Sequence, residues 1–361
     1  MKISSFGSSV IIAATMLFIT SSCMHMESDT YPQARKKEKV QLSPESFAKC
    51  QEKALQGDRE AQNALASYYC AGIGVQQDHK EAMKWFRLAA QQGVAAAQYN
   101  VGIGLAKGDG VQQDLYEAVN WYRLAAEQGF DLAQFALGEC YLTGKGVQKD
   151  PTEAVKWVRL ASEQGNASAQ FFLGTCYLGG LGVQKDLAEA VRLFRVAAEG
   201  GESSAQCMLG TCYYGGIHVQ QNLKEAMKWF RCAAVLENPL AQYTLGVFYQ
   251  NGTGVQQDFN EAVKWYRLAA AQGYAEAQSN LGACYLAGWG VQKDPVEAVK
   301  WFRLAAEQGQ VGAQFNLGVC YFNGAGVQKD QKEAERFFKL VRAHGSINMQ
   351  EAINQFLSLK K

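Results

Sequence analysis

Valine recurs every 36 residues along this 361-residue chain, at Val75, Val111, Val147, Val183, Val219, Val255, Val291 and Val327, without one insertion. A fixed period of this size is structural and indicates a solenoid. Units so short cannot bury their own apolar surface, so neighbours must stack to complete a core.

Each unit reads as two helices. One starts at an acidic cap, as in Asp258-Phe-Asn-Glu261, where a Glu three residues after the cap makes a capping box. The box recurs from Asp78/Glu81 to Asp330/Glu333, with Asn222 as the one amide variant, and Pro151 and Pro295 stand at first helical positions. Glycines such as Gly93, Gly129 and Gly273 close this helix. Ala262, Trp265, Tyr266 and Ala269 fall at i, i+3, i+4 and i+7, which gives one apolar face with small residues where helices approach. The other helix opens near Ala277-Gln278, carries Leu281, Gly282 and Tyr285 on its packing side, and ends in Gly288-Trp-Gly290.

The consensus Ala-Gln-x-x-Leu-Gly-x-x-Tyr-x-x-Gly-x-Gly-Val-x-x-Asp-x-x-Glu-Ala-x-x-Trp-[Tyr/Phe]-x-x-Ala-Ala-x-x-Gly resembles the Sel-1-like repeat, a relative of the tetratricopeptide repeat. The resemblance implies an all-α fold, an α/α superhelical solenoid of about nine helix pairs. Eight repeats are expected over 58–345 (58–93, 94–129, 130–165, 166–201, 202–237, 238–273, 274–309 and 310–345). A capping helix is expected at 44–57 and another at 346–361, the latter with Ile353, Phe356 and Leu357 on one side. The resemblance also implies an adaptor for protein complexes, with exported bacterial members contacting host factors.

Residues 1–22 combine Lys2 with an apolar run from Val10 to Ile19, too short to span a bilayer, and read as a signal peptide. Thr20-Ser21-Ser22-Cys23 looks like a lipobox that would acylate Cys23 and anchor the chain to the envelope; without Leu three residues before the cysteine, ordinary signal cleavage stays open. Residues 23–43 are polar, with Arg35, Lys36, Lys37 and Lys39, and read as a tether. With 35 Lys and Arg against 34 Asp and Glu, the chain carries no nucleic-acid footprint.

Chemistry-bearing patterns are sparse. The four histidines, His25, His79, His218 and His344, lack metal-ligand spacing, so neither metal nor cofactor is expected. Some relatives are described as penicillin-binding or β-lactam-hydrolysing, and Ser46-Phe-Ala-Lys49 matches a bare Ser-x-x-Lys. Ser358-Leu-Lys-Lys361 matches it too, and no Lys-Thr-Gly partner exists, so a hydrolase stands as the alternative to a non-catalytic scaffold. Cys140, Cys176, Cys212, Cys284 and Cys320 share one slot and read as small buried side chains rather than a ladder, while Cys207, Cys212 and Cys232 leave a local bridge open.

Between copies, the residue after Ala-Gln varies. Five copies place an aromatic there, Tyr99, Phe135, Phe171, Tyr243 and Phe315, which are the candidate contacts for a protein or peptide partner. Sealing adjacent layers is the competing role. Four residues on lie Ser67, Ile103, Glu139, Thr175, Thr211, Val247, Ala283 and Val319. The fifth copy departs from the frame, with His218 in a glycine slot and Glu237-Asn238-Pro239 in place of Gln-Gly, which makes 214–243 a candidate specialised patch.

Overall fold

The computed structural model describes residues 44–358. The signal segment, Cys23 and the tether lie outside the described residues, as do the side chains of Ser46 and Phe356. The chain divides into two compact units at Glu202/Ser203.

The first unit holds α1 (Pro44–Leu55), α2 (Arg59–Ala71), α3 (His79–Gln91), α4 (Ala95–Lys107), α5 (Leu115–Glu127), α6 (Asp131–Thr143), α7 (Pro151–Glu163), α8 (Ala167–Gly179) and α9 (Leu187–Glu199). The second holds α10 (Ser203–Gly215), α11 (Leu223–Val235), α12 (Pro239–Asn251), α13 (Phe259–Ala271), α14 (Ala275–Ala287), α15 (Pro295–Glu307), α16 (Val311–Asn323), α17 (Gln331–His344) and α18 (Ile347–Ser358). Within each unit, successive helices pack on one another, and among the described residues there is no strand. The fold is the expected all-α solenoid of stacked helix pairs. At its C-terminal end Ile353 is buried with Phe338 and Val341, and Leu357 packs beside them.

The cap of the second helix of each pair works differently from the expected box. Asp78 accepts from the Lys80 and Glu81 amides at 2.9 and 3.0 Å, so the Asp half forms. Glu81 does not reach back, because the Asp78 amide already donates to the Tyr69 carbonyl at 2.9 Å on the preceding helix. Its carboxylate instead accepts from Lys84 at 2.6 Å and from the Trp85 indole at 3.1 Å. The amide bond recurs eight times, down to Asp330 N–H and the Tyr321 carbonyl, and ties each cap to the helix before it. This cap therefore holds two helices rather than one.

Glutamine supplies a second tie. Gln134 Nε2 donates to the Ala126 carbonyl at 3.2 Å, and its side-chain oxygen accepts from Gln164 at 2.7 Å. The same pair forms at Gln62/Gln92, Gln98/Gln128, Gln242/Gln272 and Gln278/Gln308. Buried amides with both ends bonded cost little, so the glutamines belong to the frame. A third tie links pairs: the guanidinium of Arg267 donates to the Tyr285 hydroxyl at 3.0 Å, as do Arg123, Arg159, Arg231 and Arg303 to the tyrosine 18 residues on.

Shape completes the core. Gly282 faces the ring of Phe302, where an added Cβ would sit 2.8 Å from ring carbons, so the helices of that pair close only over a glycine. The recurring tryptophans Trp85, Trp121, Trp157, Trp229, Trp265 and Trp301 are half-buried at the margin of this packing.

The fifth repeat breaks the frame as its sequence indicates. Among the described residues His218 and Glu237 are the two non-glycines with positive φ, at 49° and 62°. The turn keeps the left-handed shape that glycine adopts elsewhere, and the side chains bear the strain. His218→Gly is expected to raise stability by about 0.5–1 kcal/mol in urea unfolding. Beside Glu237, Val235 and Leu236 are exposed, at 75% and 50%.

Candidate functional site

No cluster of three His, Cys, Asp or Glu side chains suited to a metal occurs among the described residues. Lys49 of the Ser-x-x-Lys match is exposed on α1. No described helix is long and apolar enough to cross a membrane.

The nine described cysteines are free thiols, so Cys207, Cys212 and Cys232 form no bridge. Burial pushes the thiols of Cys140, Cys207 and Cys212 up to about 12 and those of Cys284 and Cys320 up to about 11. Thiols held protonated and enclosed are poor nucleophiles. Titration of the native chain with a thiol reagent at pH 8 should label half-buried Cys50 and Cys232 before half-buried Cys140, whose thiol is pushed up to about 12, and the buried described cysteines only as the chain unfolds.

What remains is the open stripe of each Ala-Gln helix, formed by the residue after Ala-Gln and those four and eight positions later. The first position is largely consumed by packing. Tyr99 is only 6% exposed and meets Tyr122 at 5.8 Å and Phe130 at 5.5 Å, so it is corrected from a partner contact to a core residue. Phe171, Tyr243 and Phe315 are half-buried and meet Phe194, Tyr266 and Phe338 at 5.7, 6.1 and 6.2 Å, always the aromatic 23 residues on. Phe135 has Val158 in that place and turns edge-on to Phe172 at 5.6 Å. These four rings seal the helix pairs and leave part of their surface on the stripe.

The third position is the accessible one: Ala71, Lys107, Thr143, Gly179, Gly215, Asn251, Ala287 and Asn323 are all exposed. Sequence reading missed it, although its spacing of eight from the residue after Ala-Gln was available. The second position is mixed, with Ile103, Thr175 and Thr211 buried, Ser67 exposed, and Glu139, Val247, Ala283 and Val319 half-buried.

Glu139 is the ionisable residue of that middle row. Burial pushes its carboxyl from the ordinary 4.5 up to about 7, against the opposing pull of Lys145 on the next turn. An acid whose folded value is raised holds its proton where the unfolded chain has lost it. Its contribution to stability is therefore complete below pH 4.5 and is lost as pH rises through about 7. Glu139→Gln should stabilise the chain at pH 8 by about 1–2 kcal/mol, allowing for partial solvation, and change little at pH 4.5. Equal gains at both values would contradict the assignment.

A stack of capped helix pairs, with a fixed frame and a changing open stripe, defines a repeat-scaffold protein. The Sel1 repeat model matches eight consecutive segments, 59–94, 95–130, 131–166, 167–202, 203–236, 239–274, 275–310 and 311–343, and the chain belongs to the Sel1 repeat family. A protective antigen of uropathogenic Escherichia coli strains that displays an SLR fold is 32% identical over 88% of this chain and 76% of its own, with a TM-score of 0.53. A Sel1 repeat protein from Oxalobacter formigenes is 30% identical over 88% of this chain and 92% of its own, with a TM-score of 0.61. No curated protein matches the chain. Sel1 repeats are scaffolds typical of protein–protein interaction and are generally non-catalytic.

Proposed function

We propose that this chain is a non-catalytic adaptor, exported to the bacterial envelope and anchored through acylated Cys23, that binds a protein or peptide along the open stripes of its repeats. One observation carries the binding face. Caps, glutamine pairs and buried leucines repeat from copy to copy, while the exposed third position changes from Lys107 to Thr143 to Asn251. A surface that varies on a rigid frame is where a scaffold acquires specificity.

Arginine at Thr143, Asn251 and Asn323 suits a helix and adds bulk and charge to the stripe. The triple variant Thr143→Arg, Asn251→Arg and Asn323→Arg should keep helical content and melting temperature but lose the complexes the chain forms in cross-linked envelopes. Complexes recovered at the native level would remove the stripe from the binding face. The export reading rests on the Lys2 to Cys23 segment and is supported by the presence, among relatives, of a bacterial protective antigen. Radiolabelled palmitate should enter the native chain and not a Cys23→Ala variant; incorporation into neither would refute the anchor.

A further inference from the structure

We propose that the turn Gly288-Trp289-Gly290, together with Phe259, is a saccharide-binding platform on the second unit, stacking the C–H face of a neutral sugar ring on the Trp289 indole. The site stands apart from the protein-binding stripe and does not depend on it.

Two slots 30 residues apart in the chain meet here. The Gly-x-Gly turn sits on the start of the capped helix one repeat earlier, and a Cβ on Gly290 would fall 2.2 Å from the Phe259 carbonyl oxygen at the start of α13. This approach brings the rings of Trp289 and Phe259 to 5.6 Å, inclined at 32°. The frame does not require a ring in either slot. Asp109 with His79, Lys145 with Leu115 and Ala325 with Pro295 occupy the same two slots, and the turn glycines beside them approach the helix start as closely, at 2.2, 2.1 and 2.0 Å for an added Cβ. No other turn of the eight carries an aromatic at its middle residue. Packing of turn on helix therefore leaves the paired rings unexplained.

Area and charge decide what covers them. Trp289 is 47% exposed, which leaves on the order of 100 Å² of its surface open. A stable protein interface buries about 800 Å² on each partner, so this platform suits a ligand one ring wide. Over the segments 254–260 and 286–294 the charged residues are Asp258, Asp294 and Lys293. Each aspartate commits one oxygen to two amides of its own helix, and the single lysine gives no cationic cluster for a phosphate or an anionic headgroup. Asn260, next to Phe259, and Gln292, three residues after Trp289, are exposed amides, which donate and accept as sugar hydroxyls do. A β-linked glucose-type ring holds its hydroxyls equatorial, so its faces are C–H bonds. Their slight positive charge stacks on the electron-rich face of the indole.

The test is calorimetric titration of the full chain with cellotetraose and with chitotetraose, both neutral and β-linked. At least one should bind. Trp289→Ala should weaken that binding about ten-fold or more, and Trp289→Tyr, which keeps a ring in the slot, should restore most of it. Tyr116→Ala removes another exposed ring, 75% open on α5, and should leave binding unchanged. Both substitutions at 289 keep the turn glycines, and their urea midpoints should match the native one.

Binding of neither sugar, or binding that Trp289→Ala leaves intact, would overturn the proposal. Trp289-dependent capture of a polyproline peptide or of phosphatidylcholine vesicles, with no sugar bound, would make the platform a protein or membrane contact and overturn the saccharide assignment.

Discussion

Gly146→Ala is expected to destabilise the first unit by about 2–4 kcal/mol, and Gly129→Ala by only about 1 kcal/mol, although both glycines have positive φ. The difference lies in what a methyl group would meet. At Gly146, φ is 68° and a Cβ would fall 2.1 Å from the Leu115 carbonyl oxygen at the start of α5. Backbone cannot rotate away as a side chain can, so the turn and α5 must separate. At Gly129, φ is 86° and nothing lies within 4 Å of the added carbon. Only the left-handed conformation is penalised there. Urea unfolding followed by circular dichroism measures both, and equal losses would show that turn and helix are not in contact as described.

Leu281→Ala should cost about 3 kcal/mol, at the larger end for single core truncations, while Leu281→Met should cost under about 1.5 kcal/mol. Leu281 has no exposed surface and packs in a cluster with Tyr266, Ala277 and Cys284. Its surroundings are two helices locked by the Asp294 amide on the Tyr285 carbonyl at 2.9 Å and by Gln308 on Gln278 at 2.9 Å. Neighbours held this firmly cannot collapse into the space left by the leucine. A loss below about 1 kcal/mol in thermal or urea unfolding would mean that the pair relaxes freely and that the polar ties do not hold its spacing.

The frame was legible because its signals are local. An acidic cap, a glycine stop and apolar residues at helical spacing lie within a few positions of one another. Those signals recover α13 (Phe259–Ala271) between its Asp258 cap and Gly273, and the glycine at 282 already points to close helix approach. Where the interaction leaves the local segment, the reading fails. Glu261 looks like the second half of a capping box, yet the Asp258 amide is taken by the Tyr249 carbonyl, nine residues earlier. Nothing near Arg267 indicates that its bond goes to Tyr285 on the next pair.

The site was less legible for a related reason. An aromatic after Ala-Gln looks the same in sequence whether it faces a partner or the ring 23 residues on. Only the contacts place Tyr99 in the core. Glu139, likewise, is one of eight varying residues four positions on until burial is found to push its carboxyl up to about 7. Variation between copies locates the stripe, and burial decides which of its positions a partner can touch.

The central claim is that recognition belongs to the open stripes and not to the outer surface of the capped helices. A photo-crosslinking amino acid placed in the cell at Thr143 or Asn251, and for comparison at Leu124 or Leu268 on the outer face, tests it directly. Thr143 and Asn251 are exposed on the stripe, and Leu124 and Leu268 are 46% and 50% exposed away from it. A discrete adduct from the stripe positions, absent from the outer ones, is the predicted result. Adducts from Leu124 and Leu268, with none from Thr143 or Asn251, would contradict it.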